Sequence, residues 1–149
     1  MFMSIHSQEY LSDHSVKQIY SLITDIESYP EFLPWCGEAK VIDKFDNTII
    51  ADLSISFKYL TERYRSEVKL APPKKSRAKI EVSTISGPFK YLNTTWELSS
   101  KGKGTLIKFN IDFCFKSTVL QKIIGIFFNK ACEKMLAAFV SRANELYGK

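Results

Sequence analysis

Between residues 118 and 147 apolar side chains recur at helical spacing: Leu120, Ile124, Phe127, Ala131, Met135, Ala138, Phe139, Ala143 and Leu146. No other stretch constrains the fold as much. A helix of roughly thirty residues is about 45 Å long, so it must cross the whole molecule and the rest of the chain must wrap it. Thr118 and Gln121 have capping-box spacing at its start, and Gly148 suits the position just past its end. Gly125 weakens the interior by about 1 kcal/mol relative to alanine and permits a bend. The first half (Val119, Leu120, Ile123, Ile124, Ile126, Phe127, Phe128) is apolar almost all round, which calls for burial, lipid or a partner. Burial against Phe32 and Trp35 is the expectation; a lip that touches lipid is the alternative.

Upstream the pattern changes to strands. Met3 to Leu11 reads as a first strand with weak alternation. Asp13 or Ser15 can cap a short helix carrying Val16, Ile19, Tyr20 and Ile23. Pro30 suits the first position of a second short helix, which Pro34 ends, and Phe32, Leu33 and Trp35 make an apolar knot beside it. From Gly37 the chain alternates. Ala39 to Phe45 is one strand, followed by a turn at Asp46-Asn47. Ile49, Ala51, Leu53, Ile55, Phe57 and Tyr59 share a face of the next, and Tyr64, Ser66, Val68 and Leu70 a face of the one after. Pro72-Pro73-Lys74-Lys75 is the expected turn before Ala78, Ile80 and Val82. Ser86-Gly87-Pro88 turns the chain again, before Leu92, Thr94, Trp96 and Leu98. A last strand turns Ile107, Phe109, Ile111, Phe113 and Phe115 inward after the Lys101–Gly104 hairpin.

Helices segregated to one face of an antiparallel sheet make an α+β domain, here one domain over residues 1–149. A rod laid in a curved sheet leaves gaps, and such gaps are where ligands bind. The predicted inner wall holds no Asp, Glu, Lys, Arg or His; its polar groups are hydroxyls and the Trp96 indole N–H. General acid–base catalysis requires a titratable group aimed at substrate, and a nucleophile requires a base in reach. The wall supplies neither, so a non-catalytic protein is expected. An apolar ligand and a filled core suit these aromatic stripes equally well. His6 and His14 show no triad or metal spacing, and surface or turn roles are expected for them. Cys36, Cys114 and Cys132 lack zinc spacing and read as reduced packing thiols of a cytosolic type of compartment.

The net charge of +5 favours anionic partners such as phospholipid headgroups or RNA, but no Lys/Arg block resembles a nucleic-acid tail and DNA is not expected. No basic region precedes an apolar run at the N-terminus, and no apolar run could span a bilayer. A cytoplasmic protein is expected, at most peripheral on the inner membrane.

Two motifs carry a family resemblance. Tyr29-Pro30-Glu31-Phe32-Leu33-Pro34-Trp35-Cys36 resembles the N-terminal signature of the coenzyme-Q-binding START-domain family. Gly87-Pro88-Phe89-Lys90-Tyr91-Leu92, with Trp96 four residues on, resembles its second signature. Phe139, Arg142, Ala143 and Leu146-Tyr147 resemble its C-terminal helix. The family belongs to the polyketide cyclase/dehydrase-like superfamily, and its bacterial members include RatA-type ribosome-association toxins. The resemblance implies a helix-grip START-like fold: a curved antiparallel sheet wrapped around a long C-terminal helix, with two short helices after the first strand. It implies no required cofactor, and ubiquinone or a related quinone as ligand in the helix–sheet cavity, in support of respiratory electron transport. For the toxin-named members it implies binding to the large ribosomal subunit and blocking of subunit association.

On that reading Phe57, Tyr59, Tyr64, Leu92, Trp96, Phe113, Phe115, Met135 and Phe139 line the ligand cavity, with Trp96 or Tyr64 donating to a quinone carbonyl. Burying one isoprene unit contributes roughly 3–4 kcal/mol, so few hydrogen bonds are needed. The membrane offers the tail a similar environment, which leaves transfer near balance, as a carrier needs. Arg63, Arg65 and Lys69 are the candidates for RNA contacts on the ribosome reading. An enzyme of the polyketide-cyclase type is a third reading, and it requires polar groups inside the cavity, such as a buried carboxylate–histidine pair.

Overall fold

The computed structural model describes residues 4–148. Its elements run β1 (Ser4–Ser12), α1 (Val16–Thr24), a 3₁₀ turn (Ile26–Glu31), β2 (Cys36–Phe45), β3 (Thr48–Phe57), β4 (Leu60–Lys74), β5 (Arg77–Ser86), β6 (Phe89–Lys101), β7 (Gly104–Phe115), α2 (Thr118–Ile123) and α3 (Gly125–Tyr147). The seven strands form one antiparallel sheet in the order β1-β7-β6-β5-β4-β3-β2. β1 pairs with β7, bringing Tyr10 opposite Ile107, so the first strand closes against the last. Met3, expected to open the first strand, lies outside the described residues.

The α1 start is as the capping logic requires. Ser15 Oγ accepts from Gln18 N at 3.1 Å, and Gln18 Oε1 accepts from Ser15 N at 3.0 Å. The second short helix begins earlier than expected. It is a 3₁₀ segment with Pro30 near its end, because Phe32 and Leu33 already fold back with N–H bonds to the Tyr29 carbonyl (3.2 and 2.9 Å). The β4–β5 turn also differs. Lys75 and Ser76 alone make it, both with positive φ (52° and 65°), as a two-residue hairpin demands. Pro72 and Pro73 stay within β4, where the register slips between Ala71 and Lys74, since proline cannot donate to a ladder.

The expected thirty-residue helix is two. α2 ends at Ile123 with Ile124 as its C-cap, and α3 starts at Gly125. Ser117, not Thr118, caps α2: its Oγ accepts from Val119 N (3.1 Å) and Leu120 N (3.3 Å). Gly148 closes α3 with φ 93°, donating to the Asn144 carbonyl. The histidines are structural ties rather than surface groups. His6 Nε2 donates to Asn129 Oδ1 (2.7 Å), and buried His14 to Asn144 Oδ1 (2.9 Å), both pinning the N-terminal segment to α3.

One buried cluster joins α1, the inner face of the sheet and α3. Phe139 of α3 packs edge-on against Trp96 (4.9 Å) and Phe32 (5.1 Å). Phe128 meets Phe113 at 4.7 Å and Phe89 at 5.5 Å. The first half of the helical stretch is therefore not buried against Phe32 and Trp35. Ile124 and Phe128 point into the core, Phe127 stacks on Phe57 at 4.3 Å, and Val119, Ile123 and Ile126 are exposed.

Candidate functional site

Between α3 and the concave face of the sheet lies a cavity of about 90 Å³. β3 to β7 supply most of its wall: Leu53, Ile55, Tyr64, Val68, Ile80, Val82, Leu92, Thr94, Trp96, Phe109 and Ile111. Met135, Phe128 and Phe139 close it from α3. The segment from the 3₁₀ turn into β2 adds Ile26, Tyr29, Leu33, Trp35 and Cys36. Among the described residues that line it there is no Asp, Glu, Lys, Arg or His.

Of the nine side chains expected to line the cavity, Tyr64, Leu92, Trp96, Met135 and Phe139 do so. The other four are corrected. Tyr59 is fully exposed, because Lys58 and Tyr59 form the β3–β4 turn (Lys58 φ 53°) instead of continuing the alternation. Phe57 sits just before that turn and is taken up by Phe127 and the Lys58 ammonium, 5.3 Å from its ring centroid. Phe113 and Phe115 are buried but belong to a neighbouring aromatic cluster; Phe115 stacks on Phe89 at 4.6 Å, and Phe113 meets Phe89 at 6.3 Å. They back the wall without reaching it.

The two motifs acquire physical roles. In the first, Leu33, Trp35 and Cys36 face the cavity, and the Trp35 carbonyl accepts from Ser56 N (2.9 Å), anchoring the segment to β3. Phe32 and Tyr29 grip Phe139 edge-on, and the Tyr29 hydroxyl donates to the Ile23 carbonyl at the end of α1. Arg142 lies over the Phe32 ring (5.4 Å) and pairs with Glu31 at 2.6 Å, so α3 is latched to the motif. In the second motif, Gly87 lets the β5–β6 turn press on Tyr64, the Pro88 carbonyl accepts from Lys116 N (2.8 Å), and Phe89 forms the hub of the aromatic cluster. Pro34 follows as a linker residue between the 3₁₀ turn and β2.

Four polar wall groups escaped the sequence reading. Tyr29 and Cys36 flank the Phe32–Trp35 knot, in a segment without strand or helix period. Ser66 stood in the inward alternation of β4 but among apolar neighbours, so only its position marked it. Ser54 also faces inward, its Oγ accepting from Glu38 N at 2.8 Å next to a register slip in β2.

Burial dominates the electrostatics. It pushes the Tyr64 and Tyr29 hydroxyls well above the usual tyrosine range, with the proximity of Tyr64 and Cys36 adding to the shift at Tyr29. It pushes the Cys36 thiol up to about 11 and Cys132 to about 12. All three cysteines are free and buried. At pH 8 a pKa near 11 leaves about a hundredfold less thiolate than one near 9. Iodoacetamide should therefore modify Cys36 and Cys132 of the folded protein only after denaturant is added; mass spectrometry showing prompt modification at pH 8 would contradict this. These folded-state values are raised, so the stabilising contribution is complete below about pH 8.5 and declines as pH rises toward 11.

A curved antiparallel sheet closed over a long C-terminal helix, with an apolar cavity between them, defines a START-like helix-grip protein. Residues 12–140 match the family model described as polyketide cyclase / dehydrase and lipid transport, and the chain belongs to that family. The ribosome association toxin RatA of Rickettsia prowazekii is 42% identical over 130 residues, 87% of this chain and 89% of that protein. The mitochondrial coenzyme Q-binding protein COQ10 homolog B of Xenopus laevis is 30% identical over 148 residues, 97% of this chain and 59% of that protein. The crystal structure of the Zhui aromatase/cyclase from a Streptomyces species shares the fold, with a TM-score of 0.81 at 11% identity over 99% of this chain and all of that one. Among the described residues no helix is long and apolar enough to cross a membrane.

Proposed function

We propose that this protein binds a polyprenyl lipid, ubiquinone or a close relative, in the cavity between α3 and the sheet, and does no chemistry on it. The observation that carries this reading is the wall itself: an apolar surface with hydroxyls, a thiol and tryptophan indoles, and no charged or imidazole group. Such a wall suits an apolar tail with a weakly polar head, and offers neither base nor nucleophile to the cyclase-type chemistry of the fold relatives. The similarity to the coenzyme Q-binding relative points the same way.

At about 90 Å³ the cavity holds the volume of roughly three waters, below the roughly 300 Å³ at which ligand pockets begin. Ligand entry then requires the wall to part. α2 is the element with least to lose, since none of its residues is buried and it is separated from α3 by the break at Ile124. Exposed Val119, Ile123 and Ile126 and the Tyr59–Leu60 hairpin tip lie at this same end of the sheet. A bilayer could receive them while the cavity opens, with Lys58, Lys116 and Lys122 at the same end toward anionic headgroups.

The second reading, association with the large ribosomal subunit, rests on the 42% identity to a ribosome association toxin. The strand cations proposed for it from sequence are engaged: Arg63 pairs with Glu38 (3.4 Å), Arg65 with Asp52 (2.7 Å) and Lys69 with Glu67 (3.9 Å). Lys74, Lys75, Arg77, Lys101 and Lys103 make no ion pair among the described residues. They gather on two hairpin tips joined by the bond from Ser100 N to the Ser76 carbonyl (2.9 Å).

One experiment separates the two. Titrating the protein with a short-tailed ubiquinone in detergent should raise its melting temperature by several degrees, since a ligand at 100 times its Kd adds about 2.7 kcal/mol. No shift, together with salt-sensitive cosedimentation with large ribosomal subunits, would replace the lipid reading with the ribosomal one.

A further inference from the structure

Ser66 is 1% exposed, and its Oγ has no hydrogen-bond partner within the protein. It is also part of the cavity wall. A hydroxyl buried without a partner costs about 1–3 kcal/mol, so an apolar residue in its place would suit a purely structural wall better. Ser66 lies midway along β4, where backbone groups are taken up by pairing with Ala51 of β3 and Thr84 of β5. Ala51, fully buried, offers no side-chain acceptor. Other wall hydroxyls are placed differently: Ser54 Oγ is bonded to Glu38 N, and the Tyr29 hydroxyl to the Ile23 carbonyl.

We infer that Ser66 is the polar anchor of the cavity and that the ligand carries an oxygen which it meets. This deepens the lipid-binding reading above and rests on it. The occupant is then a lipid with a carbonyl or hydroxyl at the end that reaches β4, rather than a plain hydrocarbon. Ser66 O–H donates to a carbonyl oxygen, and the same rotating hydroxyl can accept from a ligand hydroxyl. Tyr64, the next inward residue along β4, lines the cavity beside it, and burial keeps its hydroxyl protonated and able to donate. The ligand head therefore lies on the β3–β4 side, where Ser54, Tyr64 and Ser66 put three hydroxyls on the wall. The tail runs toward Leu92, Ile111 and Phe128.

The test compares wild type and Ser66→Ala with two probes, a short-tailed ubiquinone and a saturated hydrocarbon of the same carbon count. Both are followed by thermal shift and by equilibrium binding. The variant should bind the quinone about fivefold more weakly, the effect of one neutral hydrogen bond. Hydrocarbon binding should be unchanged, and without ligand the variant should melt at the wild-type temperature or above. Equal quinone affinity in the two proteins would overturn the anchor while leaving lipid binding intact. So would a lower melting temperature of the ligand-free variant, because that would show the hydroxyl already bonded inside the protein. Failure of wild type to bind either probe would instead remove the lipid-binding reading, and the anchor with it.

Discussion

Trp96→Ala is expected to lower the unfolding free energy by about 3–5 kcal/mol, the range for truncating a buried indole. Trp96 is 3% exposed and stands where the sheet meets α3, 4.5 Å from the Phe109 ring and 4.9 Å from that of Phe139. Through Phe139 the loss reaches Phe32 and Tyr29, so the first motif loosens with it. Two features make collapse of the hole difficult. Phe109 is held in an interior strand, and without Trp96 the Phe139 ring is still gripped by Tyr29 and Phe32. At roughly 2–4 °C per kcal/mol the melting temperature should fall by about 10 °C. Urea unfolding at constant m measures the energy directly. Trp96→Phe, which keeps a ring in place, should lose well under half as much. A loss below about 1 kcal/mol for the alanine variant would mean that the wall refills the space, contrary to the close packing described here.

Gly87→Ala should be of comparable size, for a different reason. Gly87 has φ 135°, a backbone conformation that side-chain-bearing residues rarely adopt. A Cβ there would lie 2.6 Å from Tyr64 Cβ and 2.9 Å from Tyr64 Cα. Those atoms are tied to the β4 backbone and cannot swing aside. Backbone strain of about 1–3 kcal/mol and overpacking of about 1–3 kcal/mol both apply, so the expected cost is about 2–6 kcal/mol. Gly102→Ala is the internal control. It also has positive φ (62°), but a Cβ there meets nothing within 4 Å. Only the conformational cost of about 1–2 kcal/mol applies. Similar melting temperatures for the two variants would show that the contact with Tyr64 is soft. Because Tyr64 is a wall residue, Gly87→Ala should also disturb the cavity, which gives the second motif a reason to begin with glycine.

Much of the architecture was legible because its signals are local. Alternation of period two placed Ile80, Leu92, Trp96, Phe109 and Ile111 on the inner face, and they are there. Turn chemistry placed the bends at Asp46, at Ser86-Gly87-Pro88 and at Gly102. The absence of charge from the inner face was visible for the same reason, since polar and apolar side chains simply took turns. The cavity was less legible. Its second side comes from Ile26 to Cys36, a segment with neither helical nor strand period, so nothing in its spacing says which side chains face inward. Tyr59 illustrates a second limit. An alternating pattern continues on paper past the point where a strand ends, and here the hairpin turns at Lys58 and carries Tyr59 into solvent.

By itself, then, the sequence determined the elements and their inner faces, because helix and strand periods depend on neighbours a few residues away. Tertiary structure alone decided three things that depend on distant partners. It paired β1 with β7, residues about a hundred positions apart in the chain. It turned the bend that Gly125 permits into a full break, with Ile124 turned into the core and Phe127 drawn to Phe57. And it left Ser66 without a hydrogen-bond partner inside an apolar wall, which no strand pattern can reveal, because a missing bond is a property of everything that surrounds the group.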